Sequence, residues 1–598
     1  VSNSSDWNNR TVAALLTHIA DILALLDENS FKINAYRRAA DAIEHLPQDV
    51  QAVWQGDAKN LRTIAGVGEA IASKLDELLR MGALGYYKEV AQQVPAGVVD
   101  LLTVPDVGPK TARRLWQELG VTNLDQLRAA LDAGKVQQLK GMGEKSAAKM
   151  LAGLAMLARK TGRRKISDVY PFAQELVAAM QQACGKTIKD ITFAGSLRRM
   201  RATIGDLDLL ASADEKQHAK ILEAFTQLPQ VETVNDHGTT KASIIARNGM
   251  QVDLRVLLSK HWGCALVYFT GSKEHNILIR GLAQDMGLSL NEYRFERVGA
   301  RSSRPKEIFC ETEEAVYQTV GLQWIPPELR EAAGEVAAAR AGTLPKLIEL
   351  GDLKGDLQSH STWSDGAMSI EAMAKAAQAR GLKYLAVTDH SKSLGIAHGL
   401  DEVRLQQQWA EIDALNKKMR GFKILKGIEL EIRVDGALDL PDEILAQLDI
   451  CLASTHSSQK QAREKMTARV IHAMRHPLVD VIAHPTGRLI GEREESELDV
   501  AEAMRVAQET GTLLEVDGAP ERLDLDAVHI RRLKELGLKT LIDSDAHHPD
   551  QFVGLFYGVA NARRGWAEPS DILNTLEWSQ LKKQLKRNRK NEDRLPKS

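Results

Sequence analysis

Cysteine is scarce and scattered in this chain. Its four cysteines, Cys184, Cys264, Cys310 and Cys451, lie far apart with no Cys-x-x-Cys among them, which excludes a disulfide framework and a thiolate zinc site and leaves reduced, structural thiols. Long apolar runs are also missing: nothing reaches membrane-spanning length, and the first residues, "VSNSSDWNNRTVAALL", lack a basic stretch followed by an apolar signal core. The expectation is a cytoplasmic protein with no membrane partner, in which the Asn-x-Ser/Thr triplets at Asn3 and Asn9 are chance. An excess of positive charge is absent too. Lys plus Arg is 78 against 80 for Asp plus Glu, so a globally basic nucleic-acid coat is excluded and any polyanion must be held by local patches.

What is present is too long for one hydrophobic core. The 598 residues, 44% hydrophobic and 26% charged, have the composition of an ordinary folded protein divided into several domains. Residues 11–160 read as one short helix after another, opening with Leu15, Ile19, Ile22 and Leu26 at helical spacing. Within them a pattern occurs three times: "IAGVGEAIASKL", "VPDVGPKTARRL" and "LKGMGEKSAAKM". Each is an apolar residue, a glycine turn and a helix rich in small and basic residues. After the basic connector "ARKTGRRKIS", strands and helices alternate to about residue 322, as in an α+β sheet domain. The paired prolines and alanine-rich helix of 323–352 read as a linker. From 353 onward the rhythm becomes apolar strand, polar tip, helix, with histidines and acids at the strand ends, where barrels of parallel strands keep reactive groups. The basic tail, "LKKQLKRNRK", reads as a solvated surface helix rather than a DNA clamp.

The most informative stretch is "FAGSLRRMRATIGDLDLLAS". Side chains alternate along a strand, so Asp206 and Asp208 share one face. Adjacent carboxylates repel unless a cation lies between them. "MQVDLRV" offers a third acid, Asp253, on an expected neighbouring strand, and three carboxylates on one sheet face suit a pair of magnesium ions. Upstream, Gly195, Ser196 and the first N–H groups of a helix can hold a phosphate, with Arg199 as a fork donor. A metal pair beside a phosphate cradle describes nucleotidyl transfer.

With these residues in view, positions 1 to about 322 resemble a family X DNA polymerase. The likeness extends through "VYFTGSKEHNILIRGLAQDMGLSLNEY". It implies that Tyr268, Phe269 and Gly271 lie beside the incoming sugar and that Asn276 and Arg280 contact the nucleotide and the template minor groove. By the same likeness Asp206 and Asp208 bind both metals, Asp253 holds the catalytic metal and helps activate the primer 3′-hydroxyl, and Gly195, Ser196, Arg199 and Gly205 serve the triphosphate. Met200 departs from the family, which usually has glycine after the arginine pair. The glycine repeats resemble helix-hairpin-helix motifs, whose backbone approaches a DNA phosphate without reading sequence. Gly66, Gly68, Gly108, Gly141 and Gly143 form these turns, and Lys110 and Lys145 add charge. "FKINAYRRAA" is similar to the family's 5′-phosphate grip, placing Lys32, Tyr36 and Arg37 there. Lys74 occupies the position of the abasic-site lyase lysine, but the helper lysine is here Ala70, so a Schiff-base nucleophile and a plain surface lysine both stay open.

The C-terminal region carries His360, Asp365, His390, Glu429, His456, His484, Asp545 and His547, a mixed imidazole and carboxylate set suited to zinc, manganese or iron and to phosphoester hydrolysis. Its motifs, "SHSTWSDG", "VTDHS", "GIELE", "STHSS", "AHPTG" and "SDAHH", resemble a PHP (polymerase and histidinol phosphatase) domain over about 353–570. The family's His-x-His stands here as Gln358-Ser359-His360, and Asp517 and Gly518 replace the more usual asparagine and alanine. The resemblance implies two or three manganese or zinc ions in a 3′-5′ exonuclease or 3′-end phosphodiesterase; a decayed structural platform is the alternative.

The expected fold is thus multidomain α/β: a small helical DNA-binding domain (1–90), helix-hairpin-helix fingers (91–165), a nucleotidyltransferase palm (166–260), a thumb-like nucleotide-selection subdomain (261–322), a linker (323–352), a distorted α/β barrel of PHP type (353–575) and a basic tail (576–598). The expected function is a monomeric bacterial repair polymerase acting on gapped or primer-template DNA, its 5′-phosphate end and deoxynucleoside triphosphates. A DNA-end scaffold with little catalysis, and a PHP phosphatase with a DNA-targeting half, are the alternatives.

Overall fold

The computed structural model describes residues 7, 9–44, 46, 49–64, 66–104, 107–139, 142–160, 163–297 and 307–588. The chain divides into two compact units, one of Val1–Arg163 with Asn248–Met250 and Ile277–Asp285, the other of Arg164–Arg247, Gln251–Asn276 and Met286–Ser598. Among the described residues no helix is long and apolar enough to cross a membrane.

The first unit is helical. Val12, Leu16, Ile19 and Leu23 form the buried stripe of Asn9–Leu25, and one apolar cluster runs from there to Leu154, taking in Leu75, Leu115 and Leu127. The glycine repeats start helices. Gly68 precedes Glu69–Met81 with φ −80° and ψ 170°, and Gly108 precedes Pro109–Leu119 with φ −81° and ψ 172°. Gly143 precedes Glu144–Lys160. Gly141 and the Lys145 side chain lie outside the described residues.

In the second unit a five-stranded mixed sheet is ordered Asp190–Phe193, Leu207–Ser212, Gln251–Leu257, Lys241–Ala246, Val231–His237. The parallel pairing of its second and third strands sets Asp208 opposite Asp253. Leu207 and Leu209 are buried on the other face of the same strand. The strand begins at Leu207, so Asp206 is not a strand residue as expected but an exposed residue at its entrance. Residues 323–352, expected as a linker, are held by a buried charge: Arg330 is fully buried and donates to Glu313 Oε1 at 2.6 Å and Oε2 at 3.0 Å.

The C-terminal region is a barrel of short parallel strands. Gly355–Asp356, Tyr384–Val387 and Lys423–Lys426 form one sheet, and Glu429–Glu431, Leu452–Ser454, Val481–Ile482, Leu513–Asp517 and Leu541–Asp543 the next. Bridges His390↔Glu429 and Ser359↔Ala546 join their edges. Tyr384, Leu425, Leu452, Val481 and Leu541 fill the interior together with Leu573, Trp578, Leu581 and Leu585. The start of the tail is therefore part of the barrel and not a solvated helix. Buried Lys586 donates to Met474 O at 2.7 Å, and Arg587 donates to Asp480 Oδ2 at 2.6 Å, because their stems cover apolar surface while their charges meet carbonyls and a buried acid.

Gly518 explains itself in this packing. A Cβ there would lie 2.3 Å from Gly554 O and 2.9 Å from Asp543 O, both rigid backbone atoms. Gly518→Ala, the residue more usual at this position, is expected to destabilise the barrel by about 1–3 kcal/mol through overpacking. Thermal unfolding with the wild-type midpoint would show that the space exists.

Candidate active sites

The palm acids are assembled by register rather than by sequence proximity. Asp208 and Asp253 are strand neighbours, and Asp206 stands at the entrance of the same strand. Burial first, then the charges of Asp206 and Asp253, push the Asp208 carboxyl up to about 7 against the weaker pull of Lys241 and Arg255. Lys241 Nζ lies 3.5 Å from Asp253 Oδ2, while Asp253 Oδ1 is buried without a hydrogen bond. A cation would relieve both the repulsion and the orphaned oxygen, so the donor set fits divalent metal.

Gly195 opens the single turn Gly195–Arg198 at φ 60°, and a Cβ on it would sit 2.5 Å from Asp208 Oδ2. Only glycine lets this loop reach the acids. Ser196 and Gly205 are half-buried beside it. Met200, where the family has glycine, takes φ 54°, the left-handed conformation that costs a side-chain-bearing residue roughly 1–2 kcal/mol. Arg199, expected as a fork donor to phosphate, donates from Nη1 to Thr270 O at 2.5 Å and from Nε to Glu331 Oε1 at 3.1 Å. Downstream, Tyr268 and Phe269 meet edge to face at 5.0 Å and Arg255 covers the Phe269 ring. Asn276 Nδ2 donates to Tyr268 O at 2.7 Å, and Gly271, at φ 68°, leaves room for the Arg199 guanidinium. Arg280 is exposed on the helix Lys273–Asp285.

In the helical unit, Tyr86, which the sequence did not single out, gathers several of the expected contacts. Lys74 Nζ stands 4.6 Å and Lys32 Nζ 5.6 Å from its ring centre, and buried Tyr36 stacks on it at 6.2 Å. Lys32 pairs with Glu28 at 2.9 Å and Arg37 with Asp21 at 3.2 Å. Gly68, Gly108 and Gly143 have no atom within 4 Å of a Cβ position, and the helices after Gly68 and Gly108 have no side-chain cap among the described residues. Gly66, at φ 91°, packs its turn on the Arg38 backbone, and Lys110 is exposed.

The barrel acids and histidines converge on Glu429. Its Oε1 accepts from His484 Nε2 at 2.8 Å and lies 3.1 Å from His456 Nε2; its Oε2 lies 3.1 Å from His390 Nδ1 and 3.5 Å from His360 Nε2. Three sets are close enough to share ions: His360, Asp365, His390 and His547; His390, Glu429 and His456; His360, Glu429 and Asp545. Burial would raise the Glu429 carboxyl, but His390 and His456 outweigh it and hold it well below its ordinary value. Burial would lower His456, yet Glu429 and Glu431 hold it up at about 10. His360 Nδ1, His484 Nδ1 and Glu429 Oε2 are buried without hydrogen bonds, which again fits cation ligands. His484 at φ 28° and Asp545 at φ 51° are non-glycine residues in the left-handed region, strain of the kind retained at functional sites.

Gln358 fills its buried position. With its amide nitrogen turned toward Glu515 it donates to Oε2 at 2.9 Å; turned the other way it donates to Asp545 Oδ1 at 3.4 Å instead. Around it lie the buried acids Glu515, Asp517 and Asp543, whose carboxyls are held well above the ordinary value by burial first and then by the charges of neighbouring acids, Asp517 for Glu515, Asp545 for Asp517 and Asp356 for Asp543. Arg522 reaches in to 3.4 Å from Asp517 Oδ2 and 3.6 Å from Asp545 Oδ2. Glu431, Asp389 and Arg522 were missed by sequence reasoning. The first two stand inside quoted motifs, Glu431 binding His456 and Asp389 accepting from Ser361 and Ser364; Arg522 carried no signal.

A sheet with opposed aspartates and a histidine-lined barrel on one chain define a nucleotidyltransferase joined to a metal-dependent phosphoesterase. Comparison with known proteins agrees. Family models match as a helix-hairpin-helix domain over 7–84, a SAM-like helix-hairpin-helix tandem over 98–155, a DNA polymerase beta thumb over 265–331 and a PHP domain over 356–517. The chain is 38% identical over 585 residues, 97% of its length and 100% of the relative's, to the DNA polymerase/3′-5′ exonuclease PolX of Bacillus subtilis. It is 29% identical over 246 residues to a protein of Thermoanaerobacter pseudethanolicus named "Probable phosphatase", covering 39% of this chain and 94% of that one. It is also 24% identical over 350 residues to DNA polymerase lambda of Rattus norvegicus, covering 52% and 56% respectively. The chain belongs to the family X DNA polymerases that carry a PHP domain.

The raised Asp208 carboxyl has a thermodynamic consequence. Its folded pKa of about 7 exceeds the ordinary 3.8, so the metal-free fold binds more protons than the unfolded chain between those values and loses stability as pH rises through them. In EDTA, Asp208→Asn is expected to stabilise the protein by on the order of 2 kcal/mol above pH 7, a gain that fades toward pH 4. A pH-independent difference in melting would contradict this origin.

Proposed function

We propose that this chain fills short DNA gaps and removes unsuitable 3′-terminal nucleotides, with synthesis in the palm and hydrolysis in the barrel. The observation that carries the proposal is the parallel register that sets Asp208 against Asp253 with Asp206 at the strand entrance. Magnesium ions held by these three acids would supply the positive charge for phosphoryl transfer. The chain's own groups do the rest. Asp208 gives up its proton when it ligates. Asp253 Oδ1, buried and unbonded, can take the proton of the primer 3′-hydroxyl. The Gly195 turn brings Ser196 and the backbone beside the acids, where a triphosphate would lie, and Tyr268 and Phe269 present an aromatic edge to its sugar.

In the barrel, Glu429 and Asp545 with His360, Asp365, His390, His456, His484 and His547 would hold manganese or zinc, which lowers the pKa of a bound water and clamps a phosphodiester. The three ligand sets around His360, His390 and Glu429, each within 4.8 Å, support a retained site over a decayed one. The uncapped helix starts after Gly68 and Gly108 suit DNA phosphates without regard to sequence, and Lys32, Tyr36 and Lys74 around Tyr86 suit a 5′-phosphate end.

A time course on a gapped duplex with a 3′-mismatched primer separates the halves. Asp208→Ala is expected to lower extension at least about 100-fold while manganese-dependent shortening persists. Glu429→Gln is expected to do the reverse. Wild-type extension by Asp208→Ala would refute the palm assignment, and wild-type shortening by Glu429→Gln would refute the barrel's.

A further inference from the structure

One barrel helix spans from the candidate hydrolytic site to the loop of the palm. Gly554–Arg564 begins behind the strand ends that carry Asp545: a Cβ on Gly554 would stand 3.0 Å from Ser544 O, and one on Gly518 would strike Gly554 O at 2.3 Å. Its far end grips the segment after Gly195. Arg564 Nη1 donates to Arg199 O at 2.7 Å and to Glu331 Oε1 at 3.0 Å. Glu331 also accepts from Arg199 Nε at 3.1 Å and Arg201 Nη1 at 3.4 Å, and Arg199 in turn holds Thr270 O, two residues from Tyr268. Arg563 Nε donates to Glu328 Oε1 at 2.7 Å and Phe556 packs on Tyr170 at 5.1 Å, so the contact is broad and Arg564 sits within it only 11% exposed.

The loop has its own closing bonds, Met200 N to Leu197 O at 2.9 Å and Arg201 N to Ser196 O at 3.1 Å, and Arg564 adds a hold from outside on the Arg199 carbonyl. Met200 takes φ 54° without being glycine, which persists only where the surroundings over-determine the backbone. The residue immediately before it is the one whose carbonyl Arg564 pins.

We propose that Arg564 is a positioning residue for nucleotide addition: the hydrolytic barrel fixes the Arg199 carbonyl and Glu331, and through them the turn at Gly195 and Ser196 that receives the triphosphate. This rests on the assignment of that turn to the incoming nucleotide. Displacement of a binding loop by a fraction of an ångström weakens ground-state placement more than chemistry once the ligand is bound. Arg564 touches no candidate metal ligand, so hydrolysis is outside its reach.

The test is steady-state extension of a gapped primer by the full-length chain, with shortening of a single-stranded 3′ end measured in parallel. Arg564→Ala is expected to raise the KM for deoxynucleotide about tenfold with kcat within about threefold and shortening unchanged, and Arg564→Lys, which can still reach one acceptor, to recover most of the loss. A merely structural role would lower kcat, shortening and the melting midpoint together, and that result, or an unchanged KM, overturns the proposal. Should Arg564→Ala fail to fold, Glu331→Gln reads the same contact and is expected to raise KM in the same way. Asp208→Ala run alongside keeps the two claims apart: retained extension there sinks the assignment of the palm, whereas an unchanged KM in Arg564→Ala sinks only the clamp.

Discussion

Ionisable groups that the fold buries side by side are the constraint on which this molecule turns. In the palm, a parallel register sets two aspartates side by side with a third at the strand entrance, and burial, followed by the neighbours' repulsion, raises the Asp208 carboxyl to about 7. In the barrel, Glu429 is buried among four imidazoles and leaves Oε2 without a hydrogen bond. Cations would relieve the repulsion in the palm and take up the unbonded Oε2 in the barrel. Both arrangements place the groups that a phosphoryl-transfer centre needs before any substrate arrives, and the strain at His484, Asp545 and Met200 belongs to the same economy of positions.

Much of this was visible in the sequence because the chemistry is short-range. Asp206, Asp208, the glycine turns and the barrel motifs are each contained within a few residues, and alternation along a strand or a glycine before a helix is a local rule. What escaped depends on distant segments. Nothing near Arg199 in the sequence pointed to Glu331 and Thr270, to which its guanidinium donates. The tail looked solvated by composition, yet Leu581 and Leu585 close the barrel interior and carry Lys586 and Arg587 inward. Tyr86 and Arg522 had no pattern to mark them, since one gathers lysines from two other helices and the other reaches a site built from different strands.

Gln358 and Gly518, two departures from the usual motif, both find physical reasons in the barrel. The first is fully buried with its amide turned to Glu515; the second lets the helix Gly554–Arg564 lie against the strand ends. That helix then ends on the palm's loop, so packing that permits hydrolysis at one end bears on synthesis at the other.

The central claim is that Asp206, Asp208 and Asp253 converge on divalent metal beside a nucleotide. Crystals grown with manganese and a non-hydrolysable deoxynucleoside triphosphate test it directly through anomalous scattering. The account predicts manganese peaks bridging these carboxylates and the triphosphate; an empty difference map there, with the three side chains pointing apart, would contradict it.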